Sequence, residues 1–425
     1  MIEEKIIAEN GIPVYSIPNK ASHGFYISMF LKSGTMYERE GECGITHFLE
    51  HALIRNVNSI MDGKLYALLD KYGMEFNAST YNEMVQFYIS GNSNNFRIGA
   101  DIISLLLSSI RLSKDEIDAE RNRIKAEIRE ADDKSSLAYF SSLAVWDDTT
   151  LSKPITGSLG DVSHIGIQKL EAYRQRVFNK DNVFFYVTGN AAKDNLSYLA
   201  ERIGTHTLHG SEKHINIAPV PKGFGKRESA VRVKNADFTK IRYTFDVDMS
   251  RVSSPELDLL YDLMLGGYSS DFFIELSEKR GLFYDLGGTV ERYKNIGIFY
   301  FSYELKAAKL YEAAEKTMEL LESYMSEVPD IDRCMRAGYV DNAYMLFDDS
   351  RELNFTFGYD NHVLELGYSG VEDRRRAYAT ITPERMREVA REVFKPENLT
   401  VTLKCNKKKT DIGRLQRIIF KGSKI

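Results

Sequence analysis

The closing stretch of each half of this chain is written twice. Leu170 to Asn190 and Met386 to Asn406 run in parallel at a constant offset of 216 residues (170 to 386). Leu170 falls on Met386, Tyr173 on Val389, Val177-Phe178 on Val393-Phe394, Asn182 on Asn398 and Asn190 on Asn406. Each copy combines helical apolar spacing, a short turn and a β-rich run, which predicts a helix, a turn and a strand. An internal repeat of this length restricts the fold to architectures that hold two copies of one unit.

A second correspondence starts at Gly73 and Gly281. The first leads through Met74-Glu75-Phe76 and a turn into Val85 to Ile89, then to a helix containing Ile102, Ile103 and Leu105 to Leu107. The second leads through Leu282-Phe283-Tyr284 and a turn into Ile296 to Phe301, then to a helix from Leu310 to Met325. Both predict strand, strand, helix. The expected fold is therefore α+β, with two homologous domains, each a mixed or antiparallel sheet covered by helices. The first domain is expected over residues 1–210 and the second over 227–425. Residues 211–226 form the linker, where periodicity gives way to Thr, His, Gly, Pro and Lys. His206, His209 and His214, at the end of the first domain and in this linker, have no rigid element behind them and are expected to be surface histidines.

Composition removes several classes of function. Lys+Arg 56 against Asp+Glu 61 gives a net charge of −5, which points neither to nucleic acid nor to an anionic membrane. The basic run from Lys404 through Lys407, Lys408, Lys409, Arg414 and Arg417 to Lys421 is expected to be a solvated terminal segment. No apolar stretch reaches the ~18 residues that span a bilayer, and the charged N-terminus does not read as a signal peptide. Cys43, Cys334 and Cys405 are too few and too scattered for a disulfide scaffold, so a reducing, cytoplasmic setting is expected.

The chemistry is concentrated in Gly44-Ile45-Thr46-His47-Phe48-Leu49-Glu50-His51. Residues four apart share a helix face, so His47 and His51 project side by side, with Glu50 one turn from His47. Two imidazoles suit zinc, and a catalytic zinc takes a third protein ligand and keeps a position open. Between Lys114 and Asp132, Ile117, Ile124, Ile128 and Ala131 form an apolar stripe on which Glu120 and Glu127 also fall. Inward carboxylates need a partner. A buried salt bridge would supply one, and a metal held with the histidines supplies a better one.

This arrangement resembles the pitrilysin and mitochondrial-processing-peptidase family of zinc peptidases, the inverzincins, with H-x-x-E-H on a helix and a ligand Glu about 75 residues further on. Glu127 follows His51 by 76 positions (51 to 127), and Glu120 matches the family's additional acidic residue. The resemblance implies zinc on His47, His51 and Glu127, Glu50 as general base and then proton donor to the leaving amine, and Glu120 orienting a ligand histidine. It also implies two domains closing as a clamshell over a peptide substrate. Asn77-Ala78-Ser79-Thr80 resembles the family's Asn-Ala-x-Thr stretch, an edge strand that pairs with extended peptides.

One position departs from the pattern. The family's second half carries an Arg and, seven residues later, a Tyr that hold the peptide carbonyl; here Tyr284 is present, but Ser277 stands where the Arg is expected. Either Arg280 reaches the same space, or a homologous partner subunit supplies an Arg/Tyr pair, as in bacterial heterodimers that trim leader peptides. The alternative is a catalytically silent peptide-binding or scaffold subunit.

Overall fold

The computed structural model describes residues 2–131, 136–283 and 285–420. The chain divides into two compact units: Met1–Asp132 with Lys153–Asn216 and Tyr344–Asp373, and Asp133–Ser152 with Ile217–Ala343 and Arg374–Ile425.

The first unit is built on six strands: β1 (Glu4–Ile7), β2 (Pro13–Pro18), β3 (Gly24–Leu31), β4 (Glu75–Thr80), β5 (Val85–Asn92) and β6 (Val183–Gly189). Their order across the sheet is β1-β2-β6-β3-β5-β4, with β2 and β6 parallel and the other pairs antiparallel. In β3, Phe25, Ile27, Met29 and Leu31 meet Phe48, Leu49, Ala52 and Leu53 of helix α1 (Ile45–Ile60) in one apolar core. The other face is covered too, so β3 and β6 are buried along almost their whole length rather than alternating. Its cover arrives from far along the chain, as the helix Ser350–Gly358. Asn354 Nδ2 donates to Tyr186 O at 2.9 Å, and Gly358 lies against the Phe30 ring so closely that a Cβ there would sit 2.6 Å from it.

The second unit repeats this plan with β7 (Val231–Asn235), β8 (Thr239–Asp248), β9 (Asp285–Arg292), β10 (Ile296–Leu305) and β11 (Leu399–Cys405), in the order β7-β11-β8-β10-β9. Here β7 and β11 are the parallel pair, as β2 and β6 are in the first. The helix Ile167–Val177 and β6 fall on the helix Pro383–Val393 and β11 at the offset of 216 seen in the sequence. The helix Leu137–Trp146, encoded within the first half, packs on this second sheet, where Ser141 hydrogen-bonds to Thr402.

Two expectations are corrected. The basic C-terminal run departs from a solvated segment at one described position, Lys404, which lies buried in β11 over the Phe238 ring; Lys407, Lys408 and Lys409 are exposed, as are Arg414 and Arg417 on the helix Ile412–Ile419. Lys421 lies outside the described residues. His214 is not a surface histidine. It is 6% exposed, stacks on Tyr37 with ring centroids 4.1 Å apart, and bonds to Lys32 O at 2.8 Å and Glu212 Oε1 at 3.0 Å. These local partners outweigh the polar composition around it. His209 is exposed and His206 half-buried.

Candidate metal centre

Helix α1 begins at Gly44, whose φ of +81° suits a residue without a side chain. Gly44 offers no side-chain cap, and Glu38 supplies one from outside the helix, its carboxylate accepting from Gly44 N and Thr46 N at 3.0 Å each. The buried stripe of α1 runs through Ile45, Phe48, Leu49, Ala52, Leu53, Asn56 and Val57. Beside it, at successive turns, stand His47, His51 and Arg55.

Helix α2 (Lys114–Ala131) carries Glu116, Glu120 and Glu127 toward these three. Arg55 Nε lies 3.9 Å from Glu116 Oε1, and Arg55 Nη1 donates to Glu120 Oε1 at 2.7 Å. His51 Nδ1 lies 3.3 Å from Glu120 Oε2, while His51 Nε2 and His47 Nε2 lie 3.5 and 3.8 Å from Glu127 Oε2. The two helices are antiparallel, so the early residues of one face the late residues of the other.

The separations to Glu127 exceed a hydrogen bond. They approach the spacing of donors sharing an ion: a tetrahedral zinc with bonds of about 2.0–2.2 Å spaces its ligands roughly 3.3–3.6 Å apart, a range that holds the 3.5 Å separation and falls just short of the 3.8 Å one. His47, His51 and Glu127 are a group able to hold a metal, each offering one ligand atom within 4.8 Å of the others. Protonation does not compete strongly at His47, because burial and the neighbouring His51 push its pKa down to about 4. Its ring is neutral at physiological pH, as a ligand must be. Glu120 is 5% exposed; burial alone would raise its pKa, yet hydrogen bonds from His51 and Arg55, with their charges, hold it below the usual value.

Glu50, almost fully buried, stands beside this group and accepts a hydrogen bond from Thr80 of β4. Burial raises its pKa, with Glu127 adding repulsion, against the lowering effects of the Thr80 bond and His51. A cleft of about 290 Å³ opens at this point, lined in part by Glu50, His51, Tyr66, Phe76, Asn77 and Glu127. Asn77, Ala78, Ser79 and Thr80 all lie on β4, which ends the sheet. The sequence reading missed Arg55 and Glu38. Arg55 could have been found by continuing the four-residue spacing one turn past His51; Glu38 lies in a loop with no periodicity to mark it.

The first unit thus presents two histidines and a glutamate around one point, with a buried carboxylate alongside. Two family profiles match the chain, Insulinase (Peptidase family M16) over residues 14–158 and Peptidase M16 inactive domain over residues 164–332. The chain belongs to peptidase family M16. An uncharacterised zinc protease of Rickettsia bellii (strain RML369-C) is 25% identical over 299 residues, covering 68% of this chain and 70% of the relative. The zinc protease PqqE of Helicobacter pylori (strain ATCC 700392 / 26695) is 21% identical over 418 residues, covering 94% of this chain and 92% of its own length. The crystal structure of a protease from Helicobacter pylori shares the fold, with a TM-score of 0.81 at 19% identity over 95% of this chain and 99% of that one.

The second M16 unit differs at the position that carries His47 and His51 in the first. Its topologically equivalent helix, Ser254–Leu265, lies between β8 and the β9–β10 hairpin and carries Asp258 and Asp262 at the same four-residue spacing. Arg292 Nη1 reaches both oxygens of Asp258 at 2.7 Å, the Tyr378 hydroxyl donates to Asp258 at 2.8 Å, and the Tyr339 hydroxyl donates to Asp262 at 2.7 Å. Ser277 lies in the π-helical turn Phe273–Glu278, and Arg280 is tied to Glu275 through its backbone oxygen at 2.6 Å and its carboxylate at 2.9 Å. Tyr284 lies outside the described residues. Among the described residues no helix is long and apolar enough to cross a membrane.

Proposed function

We propose that this chain is a zinc-dependent endopeptidase that cuts short, extended peptides. The observation that carries this reading is the convergence of His47 Nε2, His51 Nε2 and Glu127 Oε2 with Glu50 held beside them by Thr80. Bound zinc would polarise the scissile carbonyl and acidify water. Glu50 takes the proton from the attacking water and, as the C–N bond breaks, passes it to the leaving amine. Burial raises the affinity of Glu50 for that proton, which suits a group that must both accept and return it. The substrate backbone pairs with the outer edge of β4 through the segment Asn77 to Thr80, a mode that selects extended chains.

The same proposal includes a homologous partner subunit. Arg280 already serves Glu275, and Ser277 has no guanidinium to offer a peptide carbonyl, so an Arg/Tyr pair from a partner would complete the site. Leader-peptide trimming is the use such a pair would have, and the few, scattered cysteines Cys43, Cys334 and Cys405 favour a reducing, cytoplasmic setting. Ser277, with the inactive-domain match over residues 164–332, favours a second reading as a silent peptide-binding subunit.

Elemental analysis and peptide cleavage separate the two. The enzyme reading expects about one zinc per chain, retained in Glu50→Gln, with cleavage reduced ~100- to 10,000-fold. Zinc uptake without cleavage, both alone and with a co-purifying homologue, would leave the silent subunit as the answer.

A further inference from the structure

We infer that Arg55 is a positioning residue for the metal centre, acting through Glu120 to fix the orientation of His51. This inference rests on the metal reading above and concerns a residue outside the ligand set. Arg55 stands one helical turn beyond His51 and donates to Glu120 Oε1 at 2.7 Å, so that Glu120 Oε2 is the oxygen that meets His51 Nδ1.

A carboxylate on a single hinge bond can turn either oxygen to a histidine, or swing away from it. Holding one oxygen with a guanidinium removes that freedom. With Glu120 pinned, His51 Nδ1 carries the proton and the Nε2 lone pair points toward Glu127 and the metal position. Arg55 also makes a buried carboxylate tolerable, because Glu120 is 5% exposed and an ionised acid there needs a cation, which a neutral imidazole does not supply. The looser approach to Glu116, at 3.9 Å, leaves Glu120 as the principal partner of Arg55.

A residue that acts through another predicts a specific pattern of coupling. Zinc affinity is to be measured by competition with a chromophoric chelator for the wild type, Arg55→Met, Arg55→Lys, Glu120→Gln and the Arg55→Met/Glu120→Gln double variant. Arg55→Met is expected to bind zinc ~10- to 100-fold more weakly. Arg55→Lys, which keeps the charge and one donor, should recover part of the loss. The double variant should bind no more weakly than Glu120→Gln alone. Cobalt substitution gives a second readout, with Arg55→Met shifting the visible absorption bands that report ligand geometry.

Melting of the metal-free proteins checks that the fold is intact; if Arg55→Met does not fold, Arg55→Gln takes its place with the same expectations. Unchanged affinity in the uncharged variant, or losses that multiply in the double variant, would overturn the inference. A wild type that takes up no zinc counts against both this and the proposed function. Zinc uptake without proteolysis counts only against the latter.

Discussion

Glu38 sits outside helix α1 yet closes its N-terminus, and its protonation state is where pH reaches the metal helix. Burial raises its pKa from 4.5 to about 7, against the lowering effect of the backbone bonds from Thr46 and Gly44. A folded-state pKa above the unfolded one means that the stability contributed by the neutral acid is complete below about pH 4.5 and is lost as pH rises through about 7. Glu38→Gln mimics the neutral acid at every pH. Relative to this variant, the wild type should lose stability on the order of 3 kcal/mol between those limits. Denaturant midpoints of both proteins across the range test this, and a gap that stays constant with pH would refute it. Among individual residues, His47, Glu50 and His51 were legible because a five-residue pattern on one helix is a local signal. Glu120 and Glu127 were legible as carboxylates on an apolar stripe. Arg55 was not singled out, since its meaning depends on Glu120, 65 positions away.

Helix α1 is seated by a contact between two glycines. A Cβ on Gly44 would lie 2.7 Å from Thr156 O and 2.9 Å from Gly157 Cα, and one on Gly157 would lie 2.9 Å from Cys43 O and Gly44 Cα. Both residues have positive φ, +81° and +72°. Gly44→Ala therefore meets a steric clash as well as left-handed strain, and should cost about 2 kcal/mol or more. A lower melting temperature together with weaker zinc binding is the expected outcome; a variant that melts and binds like the wild type would show that the loops move apart freely. The repeated helix–strand pair was readable element by element because both copies keep their spacing over helix, turn and strand. The placement of Leu137–Trp146 and Ser350–Gly358 was not, since periodicity says that a helix has an apolar face and nothing about which sheet receives it.

At the scale of the whole molecule, that placement joins the halves by composition. Each sheet takes one covering helix from the other half of the chain, so a cut in the connector separates both helices from the sheets they cover. In the fragment ending near residue 221, β3 and β6 would lose Leu353 and Phe357, each worth about 1.5–3 kcal/mol when fully buried. Residues 1–221 and 222–425 should each aggregate when expressed alone and recover solubility when co-expressed. Two independently soluble fragments with cooperative melting would count against this dependence.

The aspartates of the second unit are a worked answer to a design question. Asp258 and Asp262 show another use of a four-residue pair on the equivalent helix: Arg292, Tyr339 and Tyr378 satisfy the acids internally. Removing His47 and His51 from the first unit would leave Glu120 and Glu127, among the described residues, with no such arrangement beyond Arg55 and the loose approach of Arg123, 3.8 Å from Glu127. A stable metal-free version of the first unit would have to be written as the second already is, with cations and hydroxyls imported together with the loss of the histidines.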